Sequence, residues 1–349
     1  MQYSGELQFD CLVSRRLAGA RPRRLPATRP DATASASFRA RADARAVSDP
    51  LCLSIAGISV AVTSVDPGLR LRFHGDMKRF SAPTSAPDVR VEAAWRDLTA
   101  DCDGTLVFDS GGTWRLYATG DSYLFQFFAS SLGTVPYQVA RFDRDFRFGQ
   151  VFLHRPFFGR RRIVNPLQYP LDELLIVHML SRGRGVEVHA CGLVEAGNGY
   201  LFAGHSGAGK TTMARLWERD PGITVLSDDR IVLRQIDGRF WMYGTPWHGE
   251  AGLARSARAP LAQVFLLRHA AANAVLPISG VEATARLFSC TFPTFHDRVG
   301  LAFTVGCCEE LVRTVPCAEL GFVPDDRIVG LVRRHASGTI APPPPGSIA

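Results

Sequence analysis

Residues 200–217 read YLFAGHSGAGKTTMARLW, and no other stretch restricts the fold of this chain so strongly. An apolar run enters a glycine-spaced loop, and a helix-compatible segment leaves it at once. Gly204, Gly209, Lys210 and Thr211 fit the spacing G-x-x-x-x-G-K-[ST]. Glycines so placed let successive backbone N–H groups turn inward around a polyphosphate, while the lysine reaches the outer oxygens and the threonine hydroxyl can ligate Mg²⁺. The N-terminus of the following helix adds a favourable partial charge. The loop therefore asks for a strand before it and a helix after it, and the local expectation is α/β. The candidate nucleotide contacts are Gly204, His205, Ser206, Gly207, Ala208, Gly209, Lys210, Thr211 and Thr212. Among 40 Lys+Arg residues only Lys78 and Lys210 are lysines. In a chain that otherwise uses arginine, a lysine at this position suggests that a compact ammonium is required.

One helix later comes PGITVLSDDRIVLR. Ile223–Leu226 reads as a buried strand, with Asp228 and Asp229 at its carboxyl end, the end that carries ligands in α/β sheets. If that strand neighbours the one before the loop, both deliver their chemistry to one rim. One acid would then hold Mg²⁺ while the other accepts a proton from an attacking hydroxyl.

The surrounding sequence sets the frame. Between about Leu51 and Asn165, LCLSIAGISVAV, LRLRFHG, VRVEAAW, GTLVFDSGGTWRLYAT and YLFQFF read as strands, with DSGG as a hairpin turn. A buried or amphipathic helix is expected after Pro170, with Leu171, Leu174, Leu175 and Met179 at helical spacing and RGRG ending it. VEVHACGLV and YLFA follow as strands joined by the tight connection EAGNG. The expected organisation is a tail over 1–48, a β-rich domain over 49–165, an α/β domain over 166–336 and a Pro-rich tail over 337–349. Of the formal charge of +7, nine arginines against four acids lie in 1–48, so the basicity is assigned to the tail and not to a folded nucleic-acid face. That segment reads as a disordered extension, although its Arg- and Ser-rich composition also fits a transit peptide. The eight cysteines form no C-x-x-C pair, so free thiols in a reducing, cytoplasmic compartment are expected, with Cys307–Cys308 packed in a strand. No segment reads as a membrane span.

The stretch 186–233, from VEVHACGLV through the glycine loop to SDDRIVL, resembles the catalytic core of HPr kinase/phosphorylase, whose nucleotide site is similar to that of ATP-dependent phosphoenolpyruvate carboxykinase. The likeness extends over about 166–335. It implies an HPr kinase/PEP carboxykinase-like P-loop core with an added β-rich domain, binding ATP and Mg²⁺ and phosphorylating a serine on a small protein or peptide. In that picture Lys210 and the 204–212 loop hold the triphosphate, and Thr211 with Asp229 holds the metal. Asp228, Asp229 and Lys210 are catalytic, and His189 supports the acidic pair. Assembly as a homo-oligomer is implied as well. The β-rich part is closer to HPr-kinase-related proteins such as lasso-peptide tail kinases.

Downstream, WMYGTPWHGEAGLARSARAPL (241–261) offers Trp247, His248, Glu250, Arg255 and Arg258 as acceptor or phosphate contacts. It departs from the glycine-rich loop that bifunctional relatives use for phosphorolysis, so phosphorylase activity is not expected. Two other readings stay open on the residues: a nucleotide-binding regulator without chemistry, and a carboxykinase-like small-molecule enzyme. No nucleic-acid or membrane partner is expected.

Overall fold

The computed structural model describes residues 49–338, so the expectations for 1–48 and for 339–349 fall outside the described residues. What is described is a mixed α/β structure with two eight-stranded sheets and few helices. The first sheet contains β1 (Leu51–Ile55), β2 (Ile58–Ser64), β4 (Val89–Arg96), β5 (Thr105–Asp109), β6 (Trp114–Thr119), β7 (Ser122–Phe127), β8 (Gln138–Asp143) and β9 (Phe148–His154). Their order is β1-β2-β4-β9-β8-β7-β6-β5, parallel at β2–β4 and β4–β9 and antiparallel elsewhere. The β5–β6 hairpin turns at DSGG, where the Gly111 N–H and the Arg115 Nε–H both donate to the Asp109 carboxylate. Strands β8 and β9 were not expected; Arg141, Asp143 and Gln150 interrupt their apolar pattern. A minimal parallel ribbon, β3 (Arg70–Leu71) with β10 (Ile163–Val164), lies apart from both sheets.

After a single turn, α1 (Arg155–Phe158), the chain enters α2 (Leu171–Leu180). This helix is buried on nearly all sides. Leu171, Leu175, Ile176, Met179 and Leu180 join one core with Phe125, Phe127, Phe142 and Phe146 of the first sheet, and Val232, Tyr243 and Trp247 of the second half belong to that same core. Asp172 and Glu173 go inside with it.

The second sheet holds β11 (Val186–Glu195), β12 (Asn198–Ala203), β13 (Ile223–Ser227), β14 (Arg230–Ile236), β15 (Arg239–Gly244), β16 (Arg258–His269), β17 (Ala274–Leu276) and β18 (Cys317–Phe322). One face is covered by α3 (Lys210–Glu218) and α6 (Arg327–Ala336), the other by α4 (Gly280–Ser289) and α5 (Arg298–Thr314). Cys307 and Cys308 lie on α5, which corrects the strand expected there: Gly300, Thr304, Cys308 and Leu311 recur at helical spacing on its buried side. The seven described cysteines are free thiols. No helix among the described residues is long and apolar enough to cross a membrane.

Candidate functional site

Strand β11 organises the site by changing partners along its length. Its first half pairs with β14 and its second half with β13, with the register shifting at Gly192–Leu193. A Cβ at Gly192 would lie 2.6 Å from Ile231 Cδ1, so only glycine lets the strands approach this closely. The β13–β14 junction, Ser227–Arg230, is thereby held beside His189 and Ala190, and the Ala190 N–H donates to the Asp229 carbonyl. On the other edge of β11, Ala190 faces Ala203, the last residue before the glycine loop. The strand carrying the acids is thus not the direct neighbour of β12. It is separated from β12 by β11, and β11 inserts His189 between loop and acids.

The loop itself is tightly determined. Gly209 has φ +98°, and a Cβ there would lie 2.4 Å from Phe322 Cζ. Gly209 also caps α3 without a side-chain hydrogen bond, whereas Ser279 and Asp297 cap α4 and α5 with theirs. The first N–H groups of α3 consequently face the loop. Lys210 is buried, and its Nζ donates to the carbonyls of Gly204 and His205, each at 2.9 Å. His205 and Ser206 are exposed, and Thr211 and Thr212 are half-buried at the start of α3.

The two aspartates divide sharply. Asp228 is fully buried, and its carboxylate accepts from the N–H groups of Gly249 (3.1 Å), Ala251 (3.0 Å) and Leu253 (3.3 Å). It anchors the 249–253 loop instead of offering both oxygens to the rim, a departure from two acids of equal standing. Asp229 accepts from His189 Nε2 at 2.9 Å and pairs with Arg230. Burial alone would raise its carboxyl, but the His189 hydrogen bond and the charges of Arg230, His189 and Lys210 override that and pull it down to about 2. Burial, with the charges of Lys210 and Arg230, pulls the His189 imidazole below its ordinary value and outweighs the opposing pull of Asp229, which favours the neutral ring. The charge of Lys210 is also felt at buried Cys191, alongside that of Asp228. The Gly204 N–H also donates to the His189 carbonyl at 3.4 Å, so glycine loop, histidine and acidic junction adjoin.

Beneath them lies a cluster that the sequence reading missed. Arg230 donates from Nε to Glu173 Oε1 at 2.9 Å, sits 3.5 Å from Glu187 Oε1, pairs with Asp229 and stacks over Phe292 at 4.3 Å. Burial first, then the adjoining Glu173 carboxylate, push the Glu187 carboxyl well above its ordinary value, and neither of its oxygens has a hydrogen-bond partner among the described residues. The signal was present in the sequence: Asp172–Glu173 within an apolar helix, and Glu187 two residues from His189 in an apolar strand.

The downstream candidates scatter. Trp247 is a core residue whose Nε1–H donates to Asp172 Oδ2 at 3.0 Å, so it pins helix to loop and does not wall a pocket. Burial raises the Asp172 carboxyl to about 7 against the pull of that indole N–H. His248 Nε2 lies 3.1 Å from Asp76 Oδ2, in the 3₁₀ turn Gly75–Phe80, and Arg79 of the same turn donates to the Ala254 carbonyl at 3.1 Å. Glu250 is exposed and its carbonyl accepts weakly from Arg215. The side chain of Arg255 is exposed. The Arg258 guanidinium lies over Trp241 and donates to Tyr243 Oη at 3.2 Å. Among the described residues no group of three or more His, Cys, Asp or Glu side chains is placed to hold a metal.

No family model matches the sequence. None of the curated proteins matches it either. Among solved structures the chain is distantly similar to the Hpr(Ser) kinase/phosphatase from Coxiella burnetii, at 15% identity over 44% of this chain and 93% of that one, with a TM-score of 0.26.

Proposed function

We propose that this chain is an ATP- and Mg²⁺-dependent kinase that transfers the γ-phosphoryl group to a serine hydroxyl of a small protein or peptide. The observation that carries this reading is that the Gly204 N–H of the glycine loop donates to the His189 carbonyl at 3.4 Å while His189 Nε2 lies 2.9 Å from Asp229 Oδ1, so the candidate phosphate loop and the acidic junction adjoin. The glycine loop fits a triphosphate: Gly209 is enforced by Phe322, the N–H groups opening α3 lack a side-chain cap, and Lys210 occupies loop carbonyls that it can exchange for phosphate oxygens. Thr211 and Asp229 would hold Mg²⁺, which when bound neutralises charge on the phosphates.

Phosphoryl transfer depends more on positioning and charge than on proton abstraction. A carboxylate held down to about 2 is a weak base but a steady hydrogen-bond acceptor, and it suits orienting the acceptor hydroxyl. As the serine oxygen bonds to phosphorus and ADP departs, the hydroxyl proton passes to the Asp229–His189 pair and then to solvent. His189 fixes the carboxylate rotamer through Nε2, and Arg230 holds it from the other side. Asp228 contributes indirectly, by fixing the 249–253 loop at the rim.

Calorimetry with Mg·ATP, followed by incubation with γ-labelled ATP and candidate acceptors, tests the proposal. Lys210→Ala is expected to lose nucleotide binding, and Asp229→Asn to keep it while losing label transfer. Tight Mg·ATP binding by Lys210→Ala, or normal transfer by Asp229→Asn, would defeat the mechanism. Binding without any transfer by the unaltered protein would favour the regulator instead.

A further inference from the structure

The ribbon β3–β10 gathers Arg70 and Arg72 on one strand and Arg160, Arg161 and Arg162 at the entry to the other. The Arg70 N–H donates to the Arg162 carbonyl at 2.8 Å and the Arg72 N–H to the Val164 carbonyl at 3.1 Å, so the five are held in one place by backbone. All five side chains are exposed, and none makes an ion pair or side-chain hydrogen bond with another described residue. Arg79, Arg115, Arg184, Arg230, Arg286 and Arg333 all have carboxylate partners. Five exposed guanidinium groups carried on one short backbone ribbon make a local positive surface that complements an anionic partner. The ribbon also modifies the expectation that basicity belongs to the tail: residues 49–338 carry a formal charge of only +2, fewer than the ribbon arginines alone.

We propose that this ribbon docks an extended, acidic peptide segment, and that the segment belongs to the phosphate acceptor. The second half of that statement rests on the kinase reading above; the first does not. Three features favour a peptide. Each strand of a two-stranded ribbon has an unpaired edge, able to accept an added strand through backbone hydrogen bonds. Leu69, Leu71 and Phe73 point inward, so Arg70 and Arg72 recur on the outer face at the two-residue period with which a docked strand presents alternate side chains. Ile163, paired with Arg70 and 40% exposed, adds an apolar contact on that face. The position fits an acceptor dock. Four Cα-to-Cα steps link Arg72 to Asp76, at most about 14 Å of chain, and Asp76 pairs with His248 on the loop anchored by Asp228. From the other strand, β10 leads into α2, whose Glu173 holds Arg230.

Fluorescence anisotropy on the whole chain tests this, with a labelled ten-residue peptide alternating Glu and Val as the probe. Its Lys/Val counterpart, a ten-residue oligothymidylate and phosphatidylserine vesicles serve as competitors. Arg70→Gln/Arg72→Gln and Arg160→Gln/Arg161→Gln/Arg162→Gln each remove only exposed groups and are expected to keep the melting temperature and Mg·ATP affinity. Each is expected to weaken the acidic peptide about tenfold, as the loss of two or three charge-assisted pairs implies. A peptide N-methylated at alternate residues is expected to bind as weakly. Unchanged affinity in both variants overturns the dock, as does tighter binding of oligothymidylate or vesicles than of the acidic peptide. Loss of peptide binding leaves the kinase reading intact where Mg·ATP still binds, and absence of Mg·ATP binding leaves the dock intact where the peptide still binds.

Discussion

Replacing Arg230 by methionine isolates the interaction that matters most beneath the site. The guanidinium is 13% exposed and touches Glu173, Glu187 and Asp229, so its removal strands three carboxyl groups around one vacated position. Methionine keeps much of the volume and a favourable contact with Phe292. Breaking a buried pair by deleting one partner costs about 3–5 kcal/mol, equivalent to a fall in melting temperature of about 5–8 °C for a cooperative unit of this size. The stranded carboxyls escape that penalty by taking up protons. The variant's native state then binds more protons than its unfolded state, and its stability rises as pH falls. Urea denaturation between pH 8 and pH 5 is the assay, and the deficit is expected to be largest at pH 8 and to shrink steadily toward pH 5. Adding Glu187→Gln removes one stranded charge and is expected to recover part of the loss at pH 8. A deficit below about 1 kcal/mol, or one that does not change with pH, would refute the account of Arg230 as the cation holding these acids together.

The intact protein has the opposite slope at lower pH. Because the Asp229 carboxyl is held down to about 2, its contribution of about 2 kcal/mol is fully present above pH 4 and lost as pH falls toward 2, and Asp229→Asn is expected to remove that slope from the urea midpoints. Gly209→Ala places a methyl against Phe322 at a positive φ and is expected to cost about 2–4 kcal/mol and to abolish Mg·ATP binding by calorimetry. Asp228→Asn keeps one acceptor oxygen but leaves the second face of the carboxamide unable to accept. Hydrogen exchange is then expected to quicken at Ala251 at least about fivefold, as follows from losing about 1–3 kcal/mol of hydrogen bonding.

Different parts of this molecule were legible in the sequence for different physical reasons. The glycine loop, the β11–β12 hairpin and α2 were readable because spacing, turn residues and periodicity are local. The unequal roles of Asp228 and Asp229 were not, because they are decided by N–H groups some twenty residues later, at Gly249, Ala251 and Leu253. Trp247 and Arg258 looked like pocket residues in a polar loop, yet Asp172 draws one into the core and Trp241 with Tyr243 holds the other on a strand. The interposed position of β11 was likewise hidden, since pairing order depends on the register shift at Gly192.

The shared core beneath α2 bears on how this protein can be divided. The boundary read between residues 165 and 166 passes just before Leu167 and Leu171, whose neighbours include Phe142 and Phe146 on one side and Tyr243 and Trp247 on the other. A fragment begun at residue 166 would present that greasy helix to water, along with the Asp172–Trp247 bond that ties it to the loop after β15. The two halves are accordingly expected to melt together in one calorimetric peak, and a fragment lacking the first sheet is expected to be recovered as aggregate.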